Sequence, residues 1–141
     1  MQLLMSSPQI VIVSACLAGL CTRYDGRVLA SQQCQVKLKG TAWIPVCPEQ
    51  LGGLATPRRA ADISGGNGAD VLNGTAAVIS KDGTDVTEAF LKGAHQVLEI
   101  ARHQNIKRAF LKARSPSCGV HRKGVTAMLL KRNGIQLEEF D

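Results

Sequence analysis

The chain is poor in aromatic residues, which make up 4% of its 141 positions as one Trp, one Tyr and three Phe. So few stacking platforms weigh against an aromatic nucleic-acid surface, although 17 Lys and Arg against 11 Asp and Glu leave a net charge of +6. That excess favours anionic partners in general, but the basic residues are scattered along the chain, as a solubilising surface charge is. No apolar run is long enough to cross a bilayer. Val13-Ser14-Ala15-Cys16 has the look of a lipoprotein cleavage box, yet no Lys or Arg precedes Cys16, and Gln2, Ser6, Ser7, Pro8 and Gln9 interrupt the apolar segment a signal needs. A cytoplasmic location with no membrane partner is therefore expected. Repeats and low-complexity tracts are lacking too. There is no Cys-x-x-Cys pair, the usual mark of structural zinc. In a reducing compartment the five cysteines point to metal ligands, catalytic thiols or core residues rather than disulfides.

What is present fits one ordinary domain over residues 1–141, with 45% hydrophobic and 20% charged residues. Gln9 to Ala15 is rich in β-branched residues and reads as a buried first strand. A helix over about Ala30 to Lys39, stopped by Gly40, leads to a second strand at Ala42 to Val46. Pro57 to Gly74 reads as loop, and Thr75 to Ser80 as a third strand turned by Asp82-Gly83. Asp85 with Glu88 has the spacing of a capping box at the start of the clearest helix. Its stripe is Val86, Phe90, Ala94, Val97, Leu98 and Ala101, with His95 and His103 on the solvated side. Arg108 to Ala113 is a fourth strand, Gly124 to Arg132 a last helix closed by Asn133-Gly134, and Ile135 to Phe140 a short edge strand. Strands alternating with helices predict an α/β domain with a mainly parallel sheet, in a Rossmann-like three-layer arrangement.

Three loops share one design. Ser14-Ala15-Cys16-Leu17, Val46-Cys47-Pro48-Glu49 and Ser115-Pro116-Ser117-Cys118-Gly119 each place a thiol where an apolar run stops. Parallel sheets bind ligands beyond the carboxyl ends of their strands, so the fold is expected to gather Cys16, Cys47 and Cys118 into one cleft. Thiolates are soft ligands that suit zinc or iron-sulfur clusters, and three protein ligands leave one position open, as catalytic metals require. The competing reading is three separate buried cysteines. Glu49, directly after Cys47-Pro48, is a proton-handling neighbour or, alternatively, an acid that suits a helix N-terminus.

These same residues carry a resemblance. Val13-Ser14-Ala15-Cys16-Leu17, Arg23-Tyr24-Asp25-Gly26, Cys47-Pro48-Glu49-Gln50-Leu51-Gly52-Gly53 with Pro57-Arg58, and Lys112-Ala113-Arg114-Ser115-Pro116-Ser117-Cys118-Gly119 stand in this order across nearly the whole chain. The set resembles the bacterial thiouracil desulfurase family. The resemblance implies a 4Fe-4S cluster held by Cys16, Cys47 and Cys118, with the fourth iron free for the sulfur of a small thiolated base such as 2-thiouracil. It implies a non-redox reaction: Lewis-acid activation of the thiocarbonyl, attack of water on the ring carbon, and release of hydrogen sulfide. Glu49 then becomes the candidate for proton transfer, and Ser115 the candidate for positioning substrate or water, unless its hydroxyl only forms the turn. A non-catalytic cluster- or nucleotide-binding module is the alternative. Nucleic acid is not favoured as partner, and assembly into a homo-oligomer stays open.

Other residues read as bystanders. Cys34 falls within the first helix and Cys21 lies away from the three-thiol pattern; Asp25 either orients the first loop, accepts from a substrate amide or serves an ordinary turn, His121 suits the surface, and Arg58 and Arg59 either an anionic substrate or solvent. One departure from the family pattern stands out. Cys118-Gly119 reaches Gly124-Val125-Thr126-Ala127 through Val120 to Lys123 alone, where the family runs through a longer segment containing glycine and aromatic residues.

Overall fold

The computed structural model describes residues 9–141; the Gln2 to Pro8 portion of the N-terminal reading lies outside them. A four-stranded parallel sheet forms the middle layer. It comprises β1 (Ile10–Ser14), β2 (Ala42–Val46), β5 (Arg108–Lys112) and β6 (Gln136–Phe140), in the order β2-β1-β5-β6. Both faces are buried, so the central strands read as continuous apolar runs rather than alternating ones. Val11 and Val13 of β1 and Phe110 of β5 pack with Leu17, Cys34, Leu38 and Phe140 under α1 (Gln32–Leu38). Ile12, Ala109 and Leu111 point the other way, into the larger core beneath α4 (Thr87–His103) and α5 (Val125–Arg132). Helices therefore cover both faces, and the three-layer α/β arrangement expected from the sequence is the one observed. No helix among the described residues is long and apolar enough to cross a membrane.

Three local expectations are corrected. The stretch 57–74 is not all loop: it holds β3 (Ala61–Ser64) and α3 (Gly68–Leu72), whose start carries a capping box between Asn67 and Asp70. The strand read at Thr75 to Ser80 is β4 (Ala77–Ser80), and it pairs antiparallel with β3 in a separate two-stranded sheet instead of joining the main one. The capping box read at Asp85 and Glu88 does not form. Asp85 is bridged to Ile79 and its Oδ1 accepts the Thr87 N–H at 2.9 Å, Val86 N–H donates to the Val78 carbonyl, and the helix begins at Thr87 after Val86, which makes no side-chain cap. Of the stripe, Phe90, Ala94, Val97, Leu98 and Ala101 are buried as read, whereas Val86 stands just before the helix and is half-buried; His95 and His103 are exposed.

Glycines decide how closely the site-bearing helix sits. A Cβ on Gly93 of α4 would lie 1.9 Å from the Pro48 carbonyl oxygen, and one on Gly52 would lie 2.0 Å from the Ala89 oxygen. The short helix α2 (Pro48–Leu51) thus rests backbone to backbone on α4, a contact that any side chain at either position would hold apart.

Candidate active site

The sheet order changes direction at β1: the chain steps from β1 to β2 on one side and later returns to place β5 on the other. At such a switch point the loops leaving neighbouring strands diverge and open a crevice. Here a cavity of about 540 Å³ opens at the strand ends, and Cys16, Cys47, Glu49, Ser115 and Cys118 all line it. The three loops read from the sequence are thereby brought together.

Each thiol is placed by a different local device. Cys16 sits in a single 3₁₀ turn, Ala15–Ala18, that directly continues β1. Cys47 is the extended residue before α2, where Pro48 can take the first helical position because that position needs no N–H donor. Cys118 is buried in the turn after β5, where the Ser115 Oγ accepts from the Ser117 and Cys118 N–H groups at 3.1 and 3.0 Å. Burial pushes all three thiols up from their ordinary range. The Glu49 charge adds to this at each; Lys112 and Arg23 oppose it at Cys16, Arg58 at Cys47, and hydrogen bonds from Ser14 and Ser117 at Cys118. Removing these protons calls for additional positive charge, which a bound metal supplies.

Glu49 is held from two sides. Its Oε1 accepts from the Ser117 Oγ at 2.9 Å, and Arg58 Nη2 lies 3.8 Å from its Oε2. The Cys47 Sγ is 3.9 Å from Oε1. The carboxylate therefore faces two of the thiol loops from the first turn of α2. Ser115 lines the cavity, yet its Oγ is the turn-forming hydroxyl, 3.0 Å from the Ser117 Oγ. Ser117, which has no exposed surface, is the hydroxyl on Glu49. Sequence reasoning missed Ser117, and also Ser14, 2% exposed, whose Oγ accepts from the Lys112 N–H. The only cue was a second serine two residues after Ser115.

The remaining candidates separate clearly. Asp25 is a turn residue: its Oδ1 accepts the Arg27 N–H at 3.0 Å and pairs with Arg23 Nε at 3.3 Å. Cys21 is exposed and donates to the Gly26 carbonyl, and Cys34 is buried under α1 with its thiol pushed up to about 11 by burial. His121 is exposed. Arg59 lines the cavity from an exposed position, whereas Arg58 is drawn inward. The short connection after Cys118 is closed by the Gly124 N–H on the Gly119 carbonyl at 2.8 Å and pinned where Val120 and His121 N–H groups donate to Glu139.

Among the described residues no three His, Cys, Asp or Glu side chains lie close enough to grip one metal ion. A single zinc with sulfur bonds of about 2.3 Å needs its thiols almost in contact. The three thiols share one cavity without closing on one ion.

A parallel α/β domain whose switch-point cavity is lined by three thiols and a carboxylate is of the class that binds its ligands at the strand ends. Within that class, the chain belongs to the 2-thiouracil desulfurase family, whose model matches residues 11–140. It is 40% identical over 140 residues to the uncharacterised protein YbbK of Bacillus subtilis (strain 168), covering 90% of this chain and 93% of YbbK. Among solved structures it is similar to the 4Fe-4S-dependent thiouracil desulfidase TudS, at 35% identity and a TM-score of 0.77, over 93% of this chain and 90% of that one.

Proposed function

We propose that this chain is an iron-sulfur-dependent desulfurase that hydrolyses the carbon-sulfur bond of 2-thiouracil or a related small thiolated base, with Cys16, Cys47 and Cys118 holding a 4Fe-4S cluster. The observation that carries the reading is the convergence of three thiols, from three separate strand ends, on one cavity that also holds the Glu49 carboxylate. The donor chemistry fits the group: the ligands are soft sulfurs that line one cavity. Membership of the family and likeness to TudS point the same way. Five unpaired cysteines suit a reducing compartment, and we place the reaction in the cytoplasm.

When bound, the cluster supplies a Lewis-acidic iron for the thiocarbonyl sulfur. The chain's own residues do the rest. Water adds to the ring carbon, the carbon-sulfur bond breaks, and sulfur leaves as hydrogen sulfide, so that one water exchanges oxygen for sulfur with no net oxidation. Glu49, its Oε1 fixed by Ser117, is placed to take a proton from the attacking water and return it to the departing sulfur. Ser115 lines the cavity beside it and borders the space for the base.

Anaerobic reconstitution followed by a sulfide-release assay tests the proposal. Stoichiometric sulfide and uracil from 2-thiouracil are expected; a chain with an intact cluster that releases no sulfide from any thiopyrimidine sinks it. Glu49→Gln is expected to retain the cluster spectrum and lose turnover by about 100-fold or more, the usual worth of a positioned acid-base group. An unchanged Glu49→Gln would favour a non-catalytic module instead.

A further inference from the structure

Cys47 and Glu49 stand two residues apart, and a cation outside their own helix faces both: Arg58 Nη2 lies 3.8 Å from the Cys47 Sγ and 3.8 Å from the Glu49 Oε2. We infer that Arg58 is a positioning residue of this site, fixing the Glu49 carboxylate against the Cys47 sulfur and donating a hydrogen bond to that sulfur when it serves as a ligand. The inference rests on the desulfurase reading for what the sulfur binds.

Arg58 is built in rather than merely near. Its side chain is 11% exposed, and a guanidinium so enclosed must find acceptors. Nη2 donates to the Thr22 carbonyl at 3.0 Å, and Nη1 to the Thr56 Oγ1 at 2.9 Å and the Ala55 carbonyl at 3.3 Å. Its backbone N–H donates to the Tyr24 carbonyl at 2.8 Å. These neutral acceptors immobilise the fork and tie the Cys16 loop, through Thr22 and Tyr24, to the Cys47 loop. Among the described residues Glu49 is the carboxylate that faces its charge. Arg59, the next residue, is exposed.

The consequence is chemical as well as geometric. Hydrogen bonds to ligand sulfurs and nearby charge set the potential of an iron-sulfur cluster, and a fixed cation beside one sulfur raises it. Outer partners of this kind are worth about 10- to 100-fold in metal affinity or activity.

The test compares the reconstituted wild type with Arg58→Met and Arg58→Lys, reading the cluster's midpoint potential by redox titration alongside kcat and KM for 2-thiouracil. Arg58→Met is expected to lower the potential, and to lower kcat about 10- to 100-fold with a smaller change in KM. Arg58→Lys keeps the charge but cannot reach Thr22, Thr56 and Cys47 together, so both values should fall between. A folded Arg58→Met with wild-type potential and kcat overturns the assignment. If that variant fails to fold or to take a cluster, Arg58→Lys decides, and wild-type values for both readouts overturn it. A wild type that holds a cluster but releases no sulfide defeats the desulfurase reading while the potential still tests Arg58; a wild type that takes no cluster defeats both.

Discussion

At Ser117 a hydroxyl without exposed surface donates to the Glu49 Oε1 at 2.9 Å and does not line the cavity. Removing it leaves the substrate's space unchanged but frees one side of the carboxylate. Ser117→Ala is therefore expected to lower kcat by about 10- to 100-fold, the cost of a small misplacement, with KM nearly constant. Lost stability of about 1.5–3 kcal/mol, typical of a hydrogen bond to a charged group, should appear in denaturant melts. A wild-type kcat would leave the orientation of Glu49 to Arg58 alone. Cys16, Cys47, Cys118 and Glu49 were legible as candidates because chemically active residue types stand where apolar runs end. The two serines of Ser-Pro-Ser are not distinguishable that way. Which hydroxyl closes the turn and which meets Glu49 depends on the backbone path after Arg114, whose φ of +65° sets the entry to the loop.

At the level of elements, α2 carries Glu49 into place only because α4 lets it approach at Gly93. Gly93→Ala forces the two helices apart. Overpacking of this kind costs about 1–3 kcal/mol, so the melting temperature should fall. Because Cys47 and Glu49 flank Pro48, whose carbonyl meets Gly93, sulfide release should fall as well. A variant with wild-type melting and turnover would show that α2 can shift without consequence. The same level explains the local misreadings. Asn67 and Asp70 form a capping box inside a stretch read as loop, because a helix of only five residues is too short to show periodicity. Asp85 and Glu88 have the spacing for one and do not form it, because the Asp85 backbone is bridged to Ile79 and its carboxylate takes the Thr87 N–H, two residues on, instead. Capping signatures state what a helix start can use; pairing with a distant strand decides where the helix starts.

For the whole molecule, three turn carboxylates link stability to acid. Asp25 is held below the usual carboxylate range chiefly by the Arg27 backbone N–H, Asp82 by the Ser80 hydroxyl, and Asp85 by Thr87. Each folded-state value lies under its unfolded one, near 3.9 as a rough reference, so the unfolded chain binds more protons as pH drops. Their contribution is present above about pH 4 and is lost below it as pH falls through the folded values. Melting temperatures measured from pH 7 to 3 should decline in the acid range, and Asp82→Asn should flatten part of that decline. A melting temperature that rises on acidification would contradict the assignment.

Hydrophobic patterning and residue type determined the parallel α/β class, the strands β1, β2 and β5, the stripe of α4 and the identity of the three cysteines, since each is written in a few consecutive residues. Tertiary structure alone decided that β3 and β4 leave the main sheet, that Ser117 rather than Ser115 holds Glu49, and that Arg58 joins two loops more than 30 residues apart. Those outcomes are settled by strand pairing and by buried polar groups finding their partners, and such choices are made between segments far apart in the chain.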